Sequence, residues 1–188
     1  DVIKEIWRFH TVPAPGEPGS ETWGDNSLWQ IGGASTWMTG SYDPDLDLLY
    51  WGTSHTVHEP DAAVGEFDKY YGSSILAIRG ATGELVWHFQ ATPDDIHGFD
   101  TAQVPVLADV VIDDKLRKVL FNANRNGFLY SLDRVSGDLI SAREFAEQSW
   151  ALSLDDSGRP TRNPSALPSA GGTRVWPNSV GATNWWPP

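Results

Sequence analysis

The sequence predicts an all-β fold, a segment of a β-propeller, and three observations carry that expectation. One hairpin pattern occurs twice with the same internal spacing, and a shortened third copy lies near the start. The chain is also rich in tryptophan, glycine and proline, while no stretch keeps a helical period for more than about two turns.

The first copy runs from Ser74 to Gln90. Ile75, Leu76 and Ile78 suit a strand, Ala81-Thr82-Gly83-Glu84 supplies turn chemistry, and Leu85, Val86, Trp87 and Phe89 resume β-favouring residues. Its skeleton is Ala77, Arg79 two positions on, Thr82-Gly83, and Trp87. In the second copy Ser131, Asp133, Ser136-Gly137 and Ser141 take the same places. Lys4 to Phe9, KEIWRF, is a strand-like run that reads as the tail of another copy, with Trp7 in the role of Trp87. A four-stranded unit repeated every roughly forty to sixty residues points to a propeller before any other fold.

Composition agrees. Ten Trp with 18 Gly and 13 Pro suit short strands, tight turns and large aromatic wedges, and a 40% hydrophobic fraction is that of a globular chain. The net charge of −12 disfavours nucleic acid and anionic membrane surfaces as partners. Without cysteine there is neither a disulfide framework nor a thiolate metal site. No apolar run approaches eighteen residues, so neither a transmembrane segment nor a signal peptide is expected within this stretch. It opens at Asp1 inside a strand-like run and stops at WWPP within another unit, so residues 1–188 are expected to form a single incomplete domain, about three blades and a fragment of a larger chain.

In chain order, residues 10–35 are loop-like, with three Pro and with Trp23 and Trp29 among polar residues, and are expected to lie as an ordered connection on a propeller face. Tyr42-Asp43-Pro44 is expected to turn, and Leu46, Leu48, Leu49, Tyr50 and Trp51 to form a strand buried on both faces. His55 to Tyr71 reads as a polar loop with a charged tip at Glu66-Phe67-Asp68-Lys69. Strands follow at Val104 to Ile112 and Lys118 to Asn122, and residues 143–176 read as irregular.

The A-x-D-x-x-T-G-x-x-x-W skeleton resembles the tryptophan-docking motif of the quinoprotein alcohol dehydrogenases and their methanol dehydrogenase-like relatives, eight-bladed propellers that hold pyrroloquinoline quinone (PQQ). The first copy departs at Arg79 and the second at Ser141. The resemblance is most specific where G-G-x-x-x-W, S-Y-D-P and L-x-L-x-Y-W-G-T are met by Gly32, Gly33, Trp37, Ser41 through Pro44, Leu46, Leu48 and Tyr50 through Thr53. It continues through the basic-residue loop FNANRNGFLYSLDR and ends in Gly181-Ala182-Thr183-Asn184-Trp185, the family's G-x-T-N-W.

The resemblance implies a PQQ-dependent oxidoreductase that oxidises a small alcohol in the periplasm, with Ca or a lanthanide ion polarising the quinone and a cytochrome accepting the electrons. It places Trp37 against the quinone ring, Arg125 on its oxygens and Asn184 at a further polar contact. The metal and the base depart from the pattern. Where the family has its Ca-binding Asn this chain has His55, and imidazole suits transition metals better than Ca. The family's proton-abstracting Asp falls on Gly98, with His97 at the preceding Trp. Asp100 lies where lanthanide-using relatives carry an extra metal carboxylate, and is the candidate both for the base and, with His55, for the metal. His97 and Asp95 compete as bases. The alternative function is a propeller of the same ancestry that binds without turnover, having lost the base and a metal ligand.

Overall fold

In the computed structural model, residues 4–24, 28–56 and 68–186 are described. Two four-stranded antiparallel sheets and a two-stranded hairpin follow one another along the chain. The first sheet is β1 (Ser41–Asp43), β2 (Leu48–Gly52), β3 (Ser74–Arg79) and β4 (Leu85–Gln90), in that spatial order. The second is β5 (Val106–Ile112), β6 (Lys115–Ala123), β7 (Phe128–Asp133) and β8 (Leu139–Glu144), again in sequence order, and β9 (Ala151–Leu154) pairs with β10 (Pro160–Arg162). Each meander of four strands is a propeller blade. The expected three blades are thus two complete ones and a hairpin. No helix among the described residues is long and apolar enough to cross a membrane.

The two copies of the hairpin match down to an irregularity in register. Ala77 pairs with Trp87 and Ile78 with Leu85; Ser131 pairs with Ser141 and Leu132 with Leu139, so each copy skips one residue at the same place. In both, the turn glycine N–H bonds the carbonyl of the skeleton's third position at 2.8 Å, Gly83 to Arg79 and Gly137 to Asp133. Asp133 also accepts from Val135 N at 2.9 Å, a cap that Arg79 lacks; the Arg79 guanidinium instead donates to Leu46 O at 3.0 Å.

Tryptophan docking is visible twice. Trp87 on β4 donates to Arg134 O at 3.3 Å, and its ring lies where a Cβ on Gly137 would approach it to 2.7 Å. Trp7 donates to Gly80 O at 2.7 Å and covers Gly83 in the same way. Only glycine leaves the ring this space, and both glycines also hold positive φ. Lys4 to Phe9 makes no strand pairing among the described residues, so the expected strand there is replaced by an extended segment that docks through Trp7.

Arg134 clasps the two blades. It donates to Asp43 at 2.7 Å at the end of β1 and to Asp109 at 2.7 Å on β5, while its carbonyl accepts Tyr50 OH at 2.7 Å. Between the sheets Tyr50, Ile75, Phe89, Phe128, Tyr130 and Trp150 form the main core. Burying such aromatics is the largest apolar contribution available to a sheet-on-sheet fold.

Four local expectations are corrected. Ser41–Asp43 is a strand, and the turn falls at residues 44–47, because Asp43 Oδ1 accepts from Asp45 N and Leu46 N. Leu46 is consequently in the turn and β2 begins at Leu48. Lys69 is not at a charged tip: it is buried, with Nζ 2.5 Å from Asp94, while Glu66 and Phe67 lie outside the described residues. Within 143–176, β9 and β10 emerge because a turn capped by Asp155 lets two short strands pair.

Candidate functional site

Four segments at one end of the blades converge. The first is residues 53–55, immediately beyond β2. Gly52 has no side chain, and a Cβ there would overlap the Thr101 carbonyl, so its absence lets the 100–102 segment lie directly against this strand end. Thr101 N then bonds Thr53 O at 2.9 Å, which sets Asp100 beside His55. On the other side Ala34 N donates to His55 O at 3.0 Å and Ser35 N to Ser54 Oγ at 2.8 Å, laying the 33–37 segment along the same residues and bringing Trp37 in.

The fourth segment follows β6. Asn122, Asn124 and Asn126 alternate inward and are fully buried. Asn122 donates to Gln103 O at 3.1 Å, Asn124 to Thr101 Oγ1 at 3.1 Å and Asn126 to Thr92 Oγ1 at 3.1 Å. This ladder ties the loop at 91–103 to the second blade, and the alternation sends the intervening Arg125 the opposite way, toward Asp100.

Asp100 is the hub. It is 6% exposed, and both of its oxygens are occupied. Oδ1 accepts the backbone N–H of His55 at 2.9 Å and faces His55 Nδ1 at 2.6 Å. Oδ2 accepts Trp37 Nε1 at 3.0 Å and Arg125 Nη1 at 3.0 Å. Burial alone would push the Asp100 carboxyl up, but the hydrogen bonds from His55 and the charges of His55 and Arg125 outweigh it and hold it below the ordinary carboxylate range. The bond to Asp100 raises the His55 imidazole against the opposing effect of burial.

Of the residues singled out in the sequence, Trp37, His55, Asp100 and Arg125 meet in one cluster. Asn184 does not join it. Its amide donates to Val180 O at 2.7 Å and accepts Trp185 N at 2.9 Å, both within its own loop. That loop is nonetheless fastened to the cluster, with Thr183 Oγ1 on Ala123 O at 2.6 Å, Ala182 N on Arg125 O at 3.0 Å and Arg125 Nη2 on Ser179 O at 2.5 Å.

Asp95 comes closer to the cluster than its place in the sequence suggests. One oxygen each from Asp95 and Asp100 and a ring nitrogen of His55 lie within 4.8 Å of one another. Asp95 is buried, accepts Ser73 Oγ at 3.0 Å, His97 N at 2.9 Å and Gly98 N at 3.0 Å, and burial pushes its carboxyl up. Burial and the nearby Arg162 push His97 down to about 4, so its ring is neutral at pH 7. Gly98 holds φ +75°, and a Cβ added there would meet no atom within 4 Å.

Comparison with known proteins places this arrangement in context. Residues 4–147 match the family model for the PQQ glucose/ethanol/alcohol dehydrogenase β-propeller domain. The chain is 42% identical over 204 aligned positions to the quinohemoprotein alcohol dehydrogenase ADH IIB of Pseudomonas putida, covering 98% of this chain and 29% of that protein. The solved structure of quinohemoprotein alcohol dehydrogenase ADHIIG from Pseudomonas putida HK5 superposes with a TM-score of 0.88 at 37% identity, covering 97% of this chain and 29% of that one. A europium-containing methanol dehydrogenase superposes with a TM-score of 0.83 at 33% identity, covering 93% and 31%. The chain therefore spans less than a third of the length of each of these relatives.

Proposed function

The chain belongs to the PQQ β-propeller family of glucose, ethanol and alcohol dehydrogenases, and from that premise we propose that it supplies part of the cofactor site of a quinoprotein that oxidises alcohols. The observation that carries the reading is the junction of Trp37, His55 and Arg125 on the single carboxylate of Asp100. PQQ, when bound, supplies the two-electron acceptor that side chains lack.

The residues present fit that group. Trp37 is anchored through Nε1 yet 43% exposed, which leaves an aromatic face available for stacking. Arg125 bonds Asp100 and Ser179 through its two terminal nitrogens, while its Nε is buried without an acceptor. A buried donor left over beside an aromatic floor suits a carbonyl oxygen of a planar, anionic ring. Asn184 is assigned the further polar contact, its loop being held against Arg125 by the Ala182 and Thr183 bonds. Asp100 is assigned the role of catalytic carboxylate, kept ionised by His55 and Arg125.

A hard cation such as Ca or a lanthanide does not fit the donors this chain offers. Such ions take six to eight oxygens, whereas here one of the three clustered donors is an imidazole nitrogen. No step is assigned to one. By likeness to the relatives, the complete protein is inferred to be a larger propeller in the periplasm, with a cytochrome as electron acceptor.

One observation favours the second reading, a propeller that binds without turnover: Gly98 offers no side chain where the family's base is expected. The full-length protein, loaded with PQQ and supplied with primary and secondary alcohols, is expected to reduce an artificial electron-accepting dye; no reduction with any alcohol would leave the non-catalytic reading. Trp37→Ala is expected to weaken PQQ binding at least about tenfold, the loss of one stacking contact of roughly 1.4 kcal/mol. Unchanged affinity in a fluorescence titration would make Trp37 a packing residue only.

A further inference from the structure

From the same site we infer a binding site for a divalent transition cation of borderline softness, such as Zn²⁺ or Co²⁺, made by His55 Nδ1, Asp100 and Asp95. The inference deepens the quinoprotein reading by naming the metal class that this chain's donors select.

Three facts support it. The donor set is one imidazole and two carboxylates, with ligand atoms within 4.8 Å of one another. A tetrahedral cation with bonds of about 2.1 Å needs donors about 3.4 Å apart, so the His55–Asp100 pair, now at 2.6 Å, opens slightly while Asp95 moves inward. Next, Asp95 is 4% exposed and, among the described residues, makes no ion pair; its partners are a hydroxyl and two backbone N–H groups. Beyond the longer-range charges of His55 and Arg162, then, no cation among the described residues contacts Asp95, and a buried carboxylate so placed beside a second one is the arrangement a cation neutralises. Finally, His55 is half exposed, which gives an ion a way in and leaves its remaining coordination positions to water. Binding balances simply: the proton between His55 Nδ1 and Asp100 Oδ1 leaves to solvent, and Arg125 keeps its bond to the other Asp100 oxygen. Imidazole sets the preference, since nitrogen ligands favour Zn²⁺ and Co²⁺ over Ca²⁺ and trivalent lanthanides.

The test uses the full-length protein after chelation, without PQQ or alcohol, so its failure is separate from failure of the redox reading. Co²⁺ is titrated by its visible d–d absorption, Zn²⁺ by competition, and Ca²⁺ and La³⁺ by calorimetry. One equivalent of Co²⁺ displaced by Zn²⁺ is expected, and His55→Ala should weaken it at least about tenfold, since even outer-shell partners of ligands are worth that much. His55→Asn, closer in shape, should do the same, guarding against a folding artefact. The inference is overturned if no Co²⁺ binds, if its binding is indifferent to both His55 variants, or if the wild type takes Ca²⁺ or La³⁺ in preference.

Discussion

Replacing Asp100 with Asn removes one charge and leaves the shape. The carboxylate accepts four hydrogen bonds, two per oxygen, from His55 N, His55 Nδ1, Trp37 Nε1 and Arg125 Nη1. An amide keeps one oxygen and presents an NH₂ to the remaining donors, so whichever way it turns, two contacts become donor against donor. If the oxygen stays with the His55 backbone, Trp37 and Arg125 lose their acceptor. Two hydrogen bonds to a charged group at about 1.5 kcal/mol each give a destabilisation of about 3 kcal/mol, with Arg125 still held by Ser179. The pH dependence is signed. His55 is raised in the fold, so its contribution is complete below its unfolded value of 6.5 and fades as pH rises through the folded one. Asp100 is lowered, so its contribution is complete above 3.8 and fades as pH falls through the folded value. The difference between wild type and Asp100→Asn is therefore greatest between those two values and narrows outside them. Denaturant midpoints from pH 3 to 9 read the stability, and the His55 ring proton shifts read its titration, which should move down in the variant. An unchanged His55 titration, or a stability loss flat across pH, would refute this electrostatic account of the hub.

Two further outcomes follow from the glycines. Gly137→Ala drives a methyl to within 2.7 Å of the Trp87 ring at a φ of +83°, and should cost about 2–4 kcal/mol; in a Trp87→Ala background the clash is gone and only about 1 kcal/mol of backbone strain should remain, a non-additivity read by denaturant melts of the four proteins. Gly98→Asp enters open space at φ +75°, a conformation Asp tolerates for about 1 kcal/mol, and should raise alcohol-dependent dye reduction at least about tenfold if a positioned base is what limits the wild type; an unchanged rate would show that Asp100 and His55 already suffice.

The fold was legible because its repeat is carried by local chemistry. A turn glycine that must accept an indole, and a tryptophan spaced to reach the neighbouring blade, are written within a few residues of each other, and Trp87 on Gly137 and Trp7 on Gly83 reproduce them. Lys69 was not legible for the opposite reason. A lysine in a polar loop reads as solvated, and only Asp94, twenty-five positions on, makes its burial possible. The strands β9 and β10 are only four and three residues long, and their pairing hangs on one Asp155 turn, so no periodicity announces them.

The site divides along the same line. Trp37, His55, Asp100 and Arg125 are recoverable as motif positions, but the sequence divides them between cofactor, for Trp37 and Arg125, and metal, for His55 and Asp100, whereas in space Asp100 joins all of them. What makes that possible is neutral residues with no chemistry of their own: Gly52, whose missing side chain admits the Thr101 backbone, and the buried amides of Asn122, Asn124 and Asn126, which fix the loop at 91–103. Convergence of this kind matters for Asp95 as well. Read alone it is one of two adjacent acids in a loop; once Ser73 and the His97 and Gly98 amides hold it next to Asp100, it becomes a buried carboxyl whose charged form its surroundings must balance. With His55 beside Asp95 and Asp100 the clustered donors are a mixed nitrogen and oxygen set, and on the cation-site proposal it is that imidazole, rather than Gly98, that decides which ion the cluster prefers.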